Sequence, residues 1–256
     1  MARTRYTAQP ERFEVDLNTG TARSGGRTLS IAELSWDVPT RGVVYGTVMN
    51  YRGAFGEPDA AGAGPGVPRA PLVYVKPANT WIAYGDPIPI PDDVRLLEAG
   101  AALGIVMART ACRVAAVDAL KLVAGYTIVN DLAEPHPRRD RPTTRHRCRD
   151  GFCAIGPWVV PAQALRSPEN LGVRVLVNGE LKAEISTASM MRSVATLIAD
   201  VSEFVTLCAG DVLHSGVPEH TPSIAAGDRV RIEIDGIGAL ENPVVSEREL
   251  MSRNPR

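Results

Sequence analysis

Val173-Arg174-Val175-Leu176-Val177-Asn178-Gly179-Glu180-Leu181, running on to Ile185, is the stretch whose reading decides the fold. Val173 to Val177 alternates apolar and polar side chains, the period-two signature of a strand with one buried face. Asn178-Gly179 is a dipeptide suited to a two-residue turn with positive φ at both central positions. Leu181 to Ile185 then resumes the strand, so the segment predicts a β-hairpin. Arg229 to Ile234 alternates in the same way and stops at Asp235-Gly236. Val43 to Met49 and Leu72 to Val75 are further strand runs, the latter ended by Lys76-Pro77, and the small apolar run Leu97 to Val106 reads as a buried strand. Two stretches carry helical spacing. Val194, Leu197, Ile198, Val201 and Val205 form one stripe, and Val114 to Ala124 is predicted as a second helix with Gly125 as its C-cap. Strands outnumber helices and do not alternate regularly with them. The fold class predicted is therefore α+β, mainly β, rather than a doubly wound α/β sheet.

The chain has 256 residues, with 28 basic and 29 acidic side chains and a formal net charge of -1. Such a length fits one large domain with an appendage, and so balanced a charge gives no field that favours nucleic acid or an anionic membrane. Asn18-Thr19-Gly20 and Gly25-Gly26 break the first residues into short strands, which divides the chain into a small N-terminal β region, 1–42, and a core domain, 43–256. Residues 56–71 are dense in Gly, Ala and Pro and read as a mobile loop. No run of about 18 apolar residues suggests a membrane span, and the N-terminus lacks the apolar core of a secretory signal. Cys112, Cys148, Cys153 and Cys208 form no disulfide-like framework and, even with His146, no zinc spacing; they read as reduced thiols of a cytoplasmic protein.

No nucleophile elbow, phosphate loop, HExxH or dinucleotide fingerprint is present. Six weaker motifs occur in order instead: Lys76-Pro77; Gly125-Tyr126-Thr127 with Asn130-Asp131; Arg147-Cys148-Arg149-Asp150-Gly151-Phe152; Val177-Asn178-Gly179-Glu180; Leu207 to Gly216; and Gly236 to Val245. In this order the chain, from about Val43 to Val245, resembles the fumarylacetoacetate hydrolase family, and within it the amino-terminal half of the two-half isomerase/decarboxylases of aromatic catabolism. The resemblance implies a mixed β-roll. It also implies enolate chemistry: ketonisation of 2-hydroxyhepta-2,4-diene-1,7-dioate, with decarboxylation of its precursor, in meta-cleavage catabolism. A small dicarboxylate or 2-oxo acid is then the expected substrate, and a homodimer or a hetero-oligomer with a sister chain the expected assembly.

The resemblance also implies a divalent cation, Mg2+ or Mn2+, held by two Glu on one strand and by the Asp of the ND motif, and hard cations take oxygen ligands of that kind. Asp131 matches the third ligand. Aligning the strand through Leu103 places Gly100 and Ala102 at the two Glu positions, so the metal is expected to be weakly bound or absent, with Asp131 a remnant ligand and Glu98 the one replacement of matching strand parity. A metal-deficient, non-catalytic partner subunit is the alternative to an enzyme. The family's lid His is Ala54 here while Glu57 remains, and its TGTP motif reads Ser215-Gly216-Val217-Pro218. The catalytic candidates are Asp131, Lys76, Arg147 and Glu57, with Lys76 and Arg147 carrying enolate charge and Asp131 or Glu57 the proton. Tyr51, Arg149 and Ser215 are the substrate-binding candidates. Arg138, Arg139, Arg141, Arg145, Arg147 and Arg149 together suit a dicarboxylate, and no aromatic interleaving points to nucleic acid. His214 and His220 flank the altered motif as candidate proton shuttles.

Overall fold

Gly172–Val177 and Glu180–Ser186 pair antiparallel, as the hairpin reading expects. Asn178 and Gly179 both turn left-handed, at φ 55° and 82°, the geometry whose twist matches the strands. In the computed structural model, which describes residues 2–4, 11–16, 19–52, 70–136, 143–218 and 220–253, this hairpin forms one edge of a five-stranded sheet. Its order continues through Arg229–Ile234 and Gly238–Ser246 to Ile88–Ile90. Val173, Val175 and Val177 are buried. Arg174, on the other face, bridges to Asp235 at 2.8 Å.

The second sheet has seven strands in the order Leu72–Lys76, Val44–Val48, Val212–His214, Ala101–Met107, Val123–Asp131, Cys153–Pro161 and Trp81–Ile82. Neighbours are antiparallel except Val212–His214 with Val44–Val48, and Cys153–Pro161 with Trp81–Ile82. One apolar cluster joins the two sheets, with Leu103, Ile105 and Ile128 from the larger and Val173, Ile232 and Leu240 from the smaller. The helix Val194–Ser202 adds Val194, Leu197, Ile198 and Val201 to it, and its N-terminus is capped by Ser193, whose hydroxyl accepts from the Thr196 N–H. This is the mainly β architecture expected, with a curled sheet.

Two expectations fail. Val114 to Ala124 is not a helix: Ala116–Ala119 makes a single turn, Leu120–Leu122 a 3-10 turn, and Val123 already begins a nine-residue strand. Ala119 is buried in the main core and Val114 and Leu122 pack against it, while Val117 is 82% exposed, so the segment reaches the core through short turns. Gly125 is not a cap but a strand residue, where a Cβ would stand 2.1 Å from the Val160 carbonyl oxygen. The run Leu97 to Val106 is also not one strand. Leu97–Glu98 pairs with Ser223–Ile224, and only from Ala101 does the chain join the seven-stranded sheet.

The N-terminal residues form a three-stranded sheet, Glu14–Asp16, Thr21–Ser24 and Arg27–Ser30, and a pairing of Ala2–Thr4 with Leu34–Trp36. Ala22 and Leu34 centre a small apolar cluster. Trp36 packs edge-on against Trp158, with ring centroids 5.2 Å apart. No helix among the described residues is long and apolar enough to cross a membrane.

The hairpin turn is open to test. A Cβ at Gly179 would meet nothing within 4 Å, so the demand there is purely conformational. Gly179→Ala is expected to lower stability by about 1 kcal/mol in urea unfolding with an unchanged m-value, through the left-handed backbone alone.

Candidate functional site

The strand Leu72–Lys76 sends Tyr74 and Lys76 to the same side, as residues two apart on a strand must go. Lys76 is wholly buried. Its Nζ lies 2.8 Å from the Leu132 carbonyl oxygen, 2.5 Å from that of Arg147 and 2.9 Å from that of Phe152. A fourth oxygen, Asp131 Oδ1, stands 2.7 Å away. An ammonium has three protons to donate. The carbonyls receive them, and Asp131 Oδ1 faces the charge without a directed hydrogen bond.

Asp131 closes the strand Val123–Asp131, and its other oxygen, Oδ2, takes the remaining partners. Arg147 Nη1 donates to it at 2.9 Å, and the Tyr74 hydroxyl donates as well. Burial alone would raise the carboxyl pKa, but Lys76 and Arg147 outweigh it and hold the group well below the usual range. Tyr74 moves the other way, pushed well above its ordinary value by burial and by the Asp131 charge, so it stays a donor. His214 is fully buried, and burial pushes its pKa down to about 4. Its Nδ1 accepts from the Gly216 N–H at 3.1 Å, which leaves the proton on Nε2, 3.2 Å from the Tyr74 hydroxyl. Gly46 makes room for this pair, because a Cβ there would meet the Tyr74 ring at 2.3 Å and His214 Nε2 at 2.6 Å.

Asp131 and Arg147 of this cluster border a cavity of about 50 Å³, together with Glu98, Gly100, Val217 and Thr221. Met49 lines it too, in a left-handed conformation (φ 59°) uncommon for a side chain of its kind. Glu98 and Gly100, rather than Gly100 and Ala102, are the pair that reaches the cavity beside Asp131, and Ala102 packs among Val44, Val106 and Val129. Gly100 has no room for a side chain. A Cβ there would sit 2.3 Å from the Asp131 carbonyl oxygen, and the Gly100 carbonyl accepts from the Asp131 N–H at 2.8 Å.

A hard divalent ion asks for about six oxygen ligands, several of them anionic. Of the carboxylates here, Asp131 already faces two cations, and Glu98 is the other one bordering the cavity. Among the described residues no three His, Cys, Asp or Glu side chains come together as a metal-holding group.

The structure brings Asp131, Lys76, Arg147 and Glu98 together, but not the other candidates. Ser215 is buried, its hydroxyl accepting from the Leu103 N–H at 3.2 Å, and Tyr51 lies in the main core. Both hold the fold. Arg149 forms a two-pronged pair with Asp93, at 2.7 and 2.8 Å, and meets Glu134 at 2.6 Å. Arg145 also turns to Asp93. Glu57, Ala54, Arg138, Arg139 and Arg141 lie outside the described residues. Lys76 is too enclosed to touch a ligand, and Asp131 is too strongly held as an anion to carry a proton near neutrality. His214, neutral and enclosed, braces rather than shuttles, and His220 is exposed. Tyr74, Met49 and Thr221 escaped the sequence reading. Only Tyr74 left a signal there, its two-residue spacing from Lys76.

Curled sheets around a buried ion-pair cluster, with a small cavity beside it that Arg147, Asp131 and Glu98 border, define the site. Residues 43–245 match the family described as fumarylacetoacetate (FAA) hydrolase C-terminal, and the chain belongs to that family. It is 36% identical over 216 residues to the 4-hydroxyphenylacetate degradation bifunctional isomerase/decarboxylase of Escherichia coli, covering 83% of this chain and 49% of that one. The chain thus spans about half the length of that relative. The crystal structure of 2-hydroxyhepta-2,4-diene-1,7-dioate isomerase from Mycobacterium marinum superposes with a TM-score of 0.79 at 29% identity, over 92% of each chain. Maleylpyruvate hydrolase from Sphingobium sp. SYK-6, solved with manganese(II) and pyruvate, gives a TM-score of 0.73 at 26% identity, over 87% of this chain and 78% of that one.

The buried His214 predicts a pH dependence of stability. Its folded pKa lies below the unfolded value of about 6.5, so its contribution is complete above that value and fades as pH falls toward 4. Urea unfolding across pH 4–7 should show stability falling with acid by up to about 1.4 kcal/mol per pH unit from this group. His214→Gln should flatten the upper part of that slope.

Proposed function

We propose that this chain is an isomerase-type domain that ketonises a 2-hydroxydienoate diacid, 2-hydroxyhepta-2,4-diene-1,7-dioate, through an enolate. The observation that carries the reading is Arg147: its guanidinium is fixed through Nη1 by Asp131 and borders the cavity that Glu98 also borders. Among the described residues both hydrogen bonds of that side chain use Nη1, and Nε and Nη2 are taken as the groups that grip the substrate's 1-carboxylate and 2-oxygen. The 2-hydroxyl gives up its proton, the double bonds move along by one place, and the far end of the diene takes a proton. Atoms and charge balance over the step. Glu98 is the proton carrier, and Arg147 holds the negative charge that gathers on O2. Lys76, Tyr74 and His214 keep Asp131, and through it Arg147, in position. The M. marinum isomerase, alike over nearly its whole length, supports the reading.

The same anion stabilisation would serve loss of CO2 from a tricarboxylic precursor, as in a two-half isomerase/decarboxylase. We take the divalent cation as weak or absent in this chain, on the donor set alone. Residues 1–42 are proposed as a structural appendage, and the protein as a cytoplasmic homodimer or a partner of a sister chain. One observation favours a second reading, a non-catalytic partner subunit: the chain corresponds to half of the E. coli relative.

Purified chain incubated with the dienedioate and a chelator tests these readings. Turnover is expected to persist. Glu98→Gln is expected to cut kcat by roughly 10²-fold or more while calorimetry still detects oxalate binding, and Arg147→Met to lose oxalate binding. No turnover by the chain alone, with turnover gained on adding a sister chain, would establish the partner role instead.

A further inference from the structure

Thr221 Oγ1 is buried and has no hydrogen-bond partner among the described residues, although Thr221 borders the same cavity as Arg147 and Glu98. A hydroxyl withdrawn from water without a partner is unfavourable, and in a folded protein it asks for an explanation. Its setting is not loose. Immediately after it, Pro222 accepts from the Ala99 N–H at 2.9 Å, and Ser223–Ile224 pair with Leu97–Glu98. The hydroxyl is therefore held two residues before Ser223, the strand partner of Glu98. Val217, also on the cavity, presents only methyl groups where the TGTP-type motif would carry a Thr.

Resting on the reading of the cavity as a small-acid site, we infer that Thr221 is a substrate-binding residue whose hydroxyl donates to an oxygen of the bound acid, supplying the polar contact that Val217 cannot. The cavity, about 50 Å³, has room for the small oxygen-rich head of such an acid. Arg147 then meets that head with charge, and Thr221 with a neutral, directional donor. The class of ligand that satisfies both is a 2-oxo or 2-hydroxy carboxylate, whose carboxylate and neighbouring oxygen lie on one edge.

Oxalate, a two-carbon mimic of that head, tests this by calorimetry on the full chain in the presence of a chelator. Thr221→Val keeps the shape and removes the hydroxyl; it is expected to weaken oxalate by roughly tenfold while thermal stability holds or rises, because the orphan group is gone. Thr221→Ser is expected to bind within about twofold of the parent, a rescue that a packing role would not give. If the parent binds oxalate, Arg147→Met does not, and Thr221→Val binds as the parent does, the Thr221 assignment fails while the site stands. If the parent itself does not bind oxalate, the small-acid reading fails and the Thr221 assignment falls with it.

Discussion

The contact between Lys76 and Asp131 is the constraint on which the rest of the site depends. An ammonium fully removed from water is tolerated only when its protons and its charge are both answered. Lys76 achieves this by drawing three carbonyls, from Leu132, Arg147 and Phe152, and one carboxylate to a single point. Those groups come from the end of one long strand and from both ends of the segment that follows residue 146. The edge strand Leu72–Lys76 is thereby pinned across the sheet to a loop that no strand pairing would hold there. Arg147 is presented to the cavity as a consequence, its main chain tied to Lys76 and its side chain to Asp131.

Charge counting shows how this arrangement is balanced. Lys76 and Arg147 set two positive charges against Asp131 and Glu98, and His214 is neutral near pH 7. Glu98 and Asp131 both add to the field that keeps Arg147 protonated. Positive and negative groups thus border the cavity side by side, and an entering carboxylate can meet the guanidinium there. An entering dication would meet a carboxylate already committed to two cations, and a Gly100 backbone packed directly on the Asp131 carbonyl where a further ligand would have to grow. A related hydrolase of the same fold was solved with manganese(II) and pyruvate.

Most of the scaffold was readable in the residues, and the reasons are physical. The hairpin at Asn178-Gly179 and the stripe from Val194 to Val201 were legible because period and turn chemistry agreed there. The stretch from Val114 failed because its apolar residues reach the core from two short turns and the start of a strand, which share helical spacing over so few residues. Six motifs in order revealed the family, yet they could not separate a buried peg from a ligand contact. Lys76 and Arg147 both read as charges for an enolate, and only one of them touches the cavity. Tyr51 and Ser215 misled for the same reason, each being a polar residue enlisted by the core. Arg149 looked like its neighbour Arg147 in the sequence, but Asp93 and Glu134 claim it. Those acids lie far from it along the chain or on another turn, beyond the reach of any local pattern.

The cavity lies where it does because the chain changes sheets at that point. Leu97–Glu98 belongs to a two-residue pairing with Ser223–Ile224, and Ala101–Met107 to the large sheet. Ala99 and Gly100 span the change. Glu98 still bonds through its backbone to Ala133 in both directions, at 2.8 and 3.3 Å, so the end of the neighbouring strand stays alongside. At such a junction the side chains of three segments converge without filling the space between them: Glu98 from the pairing, Asp131 from the end of the long strand, Val217 and Thr221 from the loop that returns to Ser223. A continuous strand from Leu97 to Val106, as the apolar run suggests, would close this space with small side chains. The interruption is what leaves a hollow bordered by Glu98, Asp131 and Arg147 in a mainly apolar interior, and such hollows are where buried charges can act on a ligand rather than only on each other.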